Sequence, residues 1–192
     1  MRALFHALWF HRLLMRSMIG VAVSYAVLWW VEKGFIVSSN ADTEVATWIQ
    51  IISTAILSWI YWQCFEYSWH RVARHERVEG LVWALKSHMR HHAVFNRDYF
   101  QTEKEEDLKE ILGAWYVFPM LFTANYLVHR WLWLCFLPSS CTLVFFAGLA
   151  LQFVVFEWCH WFTHIKNNLF DRIVSHVPVL AGIRRDQIAM HR

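Results

Sequence analysis

Twelve histidines stand in the 192-residue chain, and most of them fall into clusters: His70 with His75, His88 with His91 and His92, His160 with His164, and last His191. Neutral imidazole binds Zn, Fe, Cu and Ni well, and two histidines three or four residues apart on a helix project from one face. The spacings His88-x2-His91-His92 and His160-x3-His164 meet that rule. His70 and His75 are five apart, which puts them about 140° apart on an ideal helix; they need a helix end, a distortion or separate metals. At this density a fixed three-histidine pattern is expected by chance about 0.05 times in such a chain, and a fixed pair nearly once. The signal therefore lies in the triplet and in the order of the clusters. Seven histidines before His191 exceed what one tetrahedral metal uses, which points to two metals.

The neighbouring charges have two readings each. Arg71, Arg74, Arg77 and Arg90 disfavour the imidazolium form and so keep the rings available as ligands; anchoring at a membrane surface explains them equally well. Glu66 and Glu157 each precede a cluster histidine by about one turn. They accept the ring N–H of a ligand and set its tautomer, or they are helix-end carboxylates paired with one of the arginines. Interfacial histidines that snorkel and hydrogen-bond water are the alternative to the metal site as a whole. His6 and His176 lack partners at ligand spacing and are left out of it, as is His129, which is read as a solitary residue at the outer surface.

The elements that must position these residues are membrane helices. Hydrophobic residues make up 57% of the chain and aromatic residues 18%, an excess that has to face lipid. Apolar stretches run from about Ser17 to Val37, from about Val45 to Trp69, and from Ile111 to His164. About 20 apolar residues span the hydrocarbon, so the last tract holds two helices, with a turn around His129 to Ser140 marked by Pro138. The expected fold is all-α: an integral membrane four-helix bundle of two transmembrane hairpins, with a cytoplasmic, helical, histidine-rich cap. One domain covers 1-192. An interfacial helix occupies 1-16, the first hairpin about 17-69, the cytoplasmic histidine segment 70-110, the second hairpin about 111-164, and a further cytoplasmic segment 165-192.

With a cytoplasmic amino terminus, only Lys33 and Arg130 of the 18 Lys and Arg residues fall on the outer side. The positive-inside rule thus puts every histidine cluster on the cytoplasmic side. A net charge of +3, without a basic stripe interleaved with aromatic residues, excludes a nucleic-acid partner. Cys64, Cys135, Cys141 and Cys159 lie in apolar segments with no Cys-x-x-Cys pair, which argues against a disulfide framework or a thiolate zinc site. The amino-terminal apolar run lacks a small-residue cleavage site and is expected to be retained. The charged run from Gln101 to Glu110 is a solvated face or a docking site for a redox partner.

The order of His70-x4-His75, His88-x2-His91-His92, Phe156-Glu-Trp-Cys-His160-x3-His164 and the opening of a last box at His191 resembles the fatty acid hydroxylase and sterol desaturase superfamily of membrane enzymes. The likeness covers roughly 45 to 192, and the segment around Glu157, Trp158 and His160 looks most like the fatty acid hydroxylase branch. It implies a di-iron centre of two Fe ions held by His70, His75, His88, His91, His92, His160, His164 and His191, with Glu66 and Glu157 behind them. It further implies O2 as co-substrate, a membrane lipid substrate, and electrons from a separate donor such as cytochrome b5 or ferredoxin. The implied reaction is hydroxylation of a fatty acyl chain, with sterol desaturation or carotenoid hydroxylation as the alternative. An unactivated C–H bond needs an oxidant that no side chain supplies. A membrane metal-binding or transport protein is the reading of another class, but transporters keep their ligands near the midplane. A bis-histidine haem protein leaves several histidines idle. The chain stops at Met190-His191-Arg192, where a repeat of His-x-x-His-His places two further ligands. The expectation is a chain cut through its last box and inactive as given.

Overall fold

The structure, a computed structural model, describes Met15 and residues 18–33, 47–96, 99–102, 104–111, 116–132 and 134–165, with the isolated positions 176–178, 181, 182, 185 and 189. The expected interfacial helix of 1-16, apart from Met15, and the ligand His191 lie outside the described residues. The protein is all-α: helices account for the regular structure and no strand occurs among the described residues. In chain order they are α1 (18–33), α2 (Trp48–Ser68), a π-helical turn (Trp69–Ala73), α3 (Val82–Val94), α4 (Glu105–Leu108), α5 (Val117–Leu132), a 3₁₀ turn (Leu134–Phe136) and α6 (Ser139–His164).

The helix boundaries have local causes. Thr47 opens α2 with its hydroxyl accepting from Gln50 N–H at 3.3 Å, while Gln50 Oε1 accepts from Thr47 N–H at 2.8 Å. This reciprocal arrangement satisfies two donors that a helix start leaves open. Gly80, at φ +81°, makes the turn before α3 in a conformation that a side chain disfavours. The last apolar tract breaks later than expected. Its first helix is Val117–Leu132 and runs through His129 and Arg130, where a turn was expected from His129. Pro138, which cannot continue a helix but tolerates its first positions, immediately precedes α6, and its carbonyl accepts from Cys141 N–H at 2.8 Å.

The chain divides into two compact units, each built from separate stretches of sequence. The first comprises 1–64 and 114–154, the second 65–113 and 155–192. The expected single domain of 1-192 thus corresponds to two interleaved units. The first takes in most of both expected hairpins, and the second collects the described histidine clusters.

In the first unit, Leu28, Phe118, Phe122, Phe145, Phe146 and Leu149 form a buried core. A second, polar layer is buried with it. Glu32 is fully buried, its Oε1 accepting from Tyr126 Oη at 2.8 Å and pairing with Arg130 Nε at 3.0 Å. Thr54 and Ser58 are the buried residues of α2, whereas Trp48, Ile49, Ile52, Ile56, Trp59 and Ile60 on the same helix are exposed. A Cβ added to Gly148 would overlap the Ser58 hydroxyl, so glycine sets the close approach of α2 and α6 within this unit. His129, expected as a solitary surface residue, is half-buried, edge-on to Tyr61 at 4.5 Å and 5.5 Å from Phe145. Among the described residues α6, at 26 residues, is the helix long and apolar enough to cross a membrane.

Candidate metal centre

All seven described candidate histidines belong to the second unit. They gather into two neighbouring groups, His70, His75 and His88 in one and His91, His160 and His164 in the other. In each group one ring nitrogen per residue lies within 4.8 Å of the others. His92 joins the first group, its Nε2 standing 2.9 Å from His88 Nε2.

The five-residue spacing of His70 and His75 is resolved by the π turn. In α-helical winding the two rings diverge, whereas π hydrogen bonds run from i to i+5 and bring residues five apart onto one face. The turn Trp69–Ala73 begins one residue before His70, and the two Nε2 atoms meet at 3.1 Å. From α3, His88 and His92 share a face as residues four apart. His88 Nε2 also lies 3.2 Å from His75 Nε2.

Two nitrogens each ~2.1 Å from one metal stand about 3.0 Å apart at a right angle and about 3.4 Å apart at the tetrahedral angle. The first group's nitrogen separations fall at that spacing. A ring nitrogen has one in-plane direction, either an N–H or a lone pair. His88 Nε2 therefore cannot make linear hydrogen bonds to His75 and His92 together, whereas a cation at the focus accepts lone pairs from all of them. The donor set, imidazole nitrogen without thiolate, suits Zn, Cu, Fe or Ni.

The second group is built differently. His91 supplies its ring from α3, and His160 and His164 come from the last turns of α6, four residues apart. His91 Nε2 and His160 Nε2 are 3.4 Å apart. The other nitrogens of two of these rings are committed to backbone. His91 Nδ1 donates to the Glu110 carbonyl at 2.8 Å, and His164 Nδ1 donates to the Phe100 carbonyl at 2.9 Å. A carbonyl only accepts, so each neutral ring carries its proton on Nδ1 and leaves the Nε2 lone pair for a ligand. Phe95 packs on both rings, 5.1 Å from His91 and 4.3 Å from His164. His164 is fully buried and His91 is 4% exposed, whereas His75 in the first group is exposed.

Electrostatics keeps the first group ready to bind. Burial holds the His88 pKa far below the ordinary imidazole range, and the Arg74 guanidinium and the rings of His70, His92 and His75 push it the same way. The charges of Glu157 and Glu66 both favour the charged form of Arg74, against the burial that opposes it. Backbone carbonyls, those of Glu110 and Phe100, take the tautomer-setting part for His91 and His164. Sequence reasoning missed these two acceptors, and no residue type could have signalled them, because every residue carries a carbonyl. The position of Arg74 was legible only as one arginine among four.

The four cysteines are free, and none belongs to either group. His176 is exposed and belongs to neither group. Comparison of the chain with protein-family models, with curated proteins and with solved structures finds no match.

Proposed function

We propose that this chain carries the metal centre of a membrane-bound, O2-dependent di-iron oxidoreductase of the fatty acid hydroxylase and sterol desaturase type, acting on a lipid acyl chain. The observation that carries the reading is the convergence of seven imidazoles, from segments up to 94 residues apart, into two neighbouring groups with nitrogens at ligand spacing. The order of the histidine boxes supplies the rest. Two adjacent metals suit a reaction that needs two electrons and O2 at one place.

In this reading α1, α2, α5 and α6 form two hairpins through the bilayer, with the histidine clusters at the cytoplasmic side. At 1.5 Å per residue the 21 residues of α2 span about 31 Å, close to a hydrocarbon core of about 30 Å. The exposed isoleucine and tryptophan residues of α2, with Thr54 and Ser58 turned inward, support lipid as its surroundings, since a helix in water exposes the opposite set.

Iron bound to these groups supplies the activation of O2. The chain's residues hold and orient it: His91 and His164 keep their Nε2 lone pairs aimed by Nδ1–H bonds to carbonyls, Phe95 excludes water beside them, and Arg74 disfavours protonation of His88. The overall reaction inserts one oxygen atom into a C–H bond and reduces the other to water, using two electrons and two protons. The electrons come from a separate small carrier such as cytochrome b5 or ferredoxin.

Metal analysis of detergent-purified protein is expected to find about two iron ions per chain, with His88→Ala and His160→Ala each losing at least one. Less than one metal per chain, or unchanged content in both variants, removes the reading. Lipids from cells expressing the protein with its last histidine box complete, under ¹⁸O2, are expected to gain a labelled hydroxyl. Metal-dependent uptake of Zn or Ni into sealed vesicles, without lipid oxidation, would instead favour a transporter.

A further inference from the structure

We propose that the two histidine groups are unequal metal positions. The group of His91, His160 and His164 retains its ion, the group containing His75 exchanges, and a strap made of residues 99–102 and 104–110 makes the difference through Thr102. This inference rests on the metal-centre reading and deepens it.

The strap touches the second group at both ends. The Phe100 carbonyl accepts from His164 Nδ1, and the Glu110 carbonyl accepts from His91 Nδ1. Between them Thr102 forms an isolated parallel bridge with Ile165, its N–H donating to the His164 carbonyl at 2.8 Å. Gln101 Nε2 donates to the Thr163 carbonyl at 3.3 Å. The strap is thus pinned to the end of α6 by backbone and side chain together.

Thr102 is fully buried, and its hydroxyl organises the rest of the strap. It donates to Asp107 Oδ2 at 2.7 Å, accepts from Lys104 N–H at 2.9 Å, and lies 3.0 Å from Tyr99 Oη. Asp107 belongs to α4, and its carbonyl accepts from Glu110 N–H at 3.0 Å. One hydroxyl therefore ties the segment that presents the Phe100 carbonyl to α4, and through the Asp107 carbonyl to the turn after it that presents the Glu110 carbonyl. Thr102 is a positioning residue: it acts on the metal through the orientation of His91 and His164.

The consequence is a difference in preorganisation. Two ligands of the second group already have the binding tautomer, are buried and are braced by Phe95, so loading changes little. In the first group the Nε2 atoms of His70, His75, His88 and His92 crowd one another at 2.9 to 3.2 Å. His75, exposed at its edge, gives water and chelators a route in. Removing a partner that orients a metal-bound histidine typically weakens metal binding about 10–100-fold.

The test uses the detergent-purified chain loaded with Co²⁺, whose visible spectrum reports imidazole coordination, and challenged with EDTA. Two phases of release are expected, about one ion each, with the slow phase abolished by His164→Ala and the fast phase by His75→Ala. Thr102→Val should release the slow ion about 10–100-fold more readily, Thr102→Ser should restore it, and circular dichroism should show the helices intact in both. Asp107→Asn provides a second way to loosen the strap if Thr102→Val does not fold. A single phase in the wild type, or a slow phase removed by His75→Ala and kept by His164→Ala, overturns the inequality. Equal release from wild type and from folded Thr102 and Asp107 variants overturns the role of the strap. Uptake of less than one ion per chain overturns the metal-centre reading itself, and this inference with it.

Discussion

At the scale of single residues the site is governed by protons. His88 is 7% exposed and its pKa lies far below the 6.5 of a free imidazole, through burial first and the Arg74 charge second. In the unfolded chain that ring takes up a proton near pH 6.5, and in the folded metal-free chain it does not. As pH falls below about 6.5 the unfolded state therefore gains, and folding stability drops by up to about 1.4 kcal/mol per pH unit for this group. Thermal melts of the metal-free protein in detergent are expected to show a lower midpoint at pH 5.5 than at pH 7.5, with the gap narrowed in His88→Gln. A variant gap as wide as the wild type's would mean that His88 is not the group responsible. The residue types were legible in the sequence, down to the clusters and their spacings. Which nitrogen of each ring would be free was not, because that depends on acceptors at Phe100 and Glu110 that no side chain marks.

At the scale of elements, one turn decides whether the first box works. Residues five apart belong to one face in π winding and to different faces in α winding. The turn Trp69–Ala73 therefore turns an unfavourable spacing into a pair at 3.1 Å. Deleting Val72 leaves His70 and His75 four apart, so the turn can relax to an α-helix and still present both rings. Inserting an alanine after Val72 makes them six apart and separates them in either winding. The deletion is expected to keep about two metals per chain by elemental analysis, and the insertion to lose one. Equal loss in both would show that the π turn does not carry the geometry. The need for a distortion was legible in the spacing of His70 and His75; its type was not, because a π turn has no residue code and depends on what the helix packs against. The end of α5 was misjudged for a related reason. His129 and Arg130 read as polar punctuation, yet Arg130 is held by Glu32, and His129 by the rings of Tyr61 and Phe145.

At the scale of the whole molecule, the chain divides its tasks between two units assembled from interleaved stretches. The first holds a buried ion pair among aromatic residues. Glu32 is fully buried against Arg130 and Tyr126, and stranding such a carboxylate costs about 3–5 kcal/mol. Arg130→Leu is expected to lower the melting temperature in detergent sharply, and Glu32→Gln combined with it to recover part of the loss. A double variant no more stable than the single would show that the stranded charge is not the cause. The sequence by itself determined the all-α class, the apolar segments and the inventory of imidazoles, because helical period, hydropathy and ligand chemistry are written in residue types close together along the chain. Only the tertiary structure decided that His91 parts from His88 and His92 to join His160 and His164, that a π turn unites His70 with His75, and that the charges of Glu66 and Glu157 act on Arg74. Those outcomes rest on backbone carbonyls, helix winding and the meeting of segments far apart in sequence, and none of these leaves a mark in residue spacing.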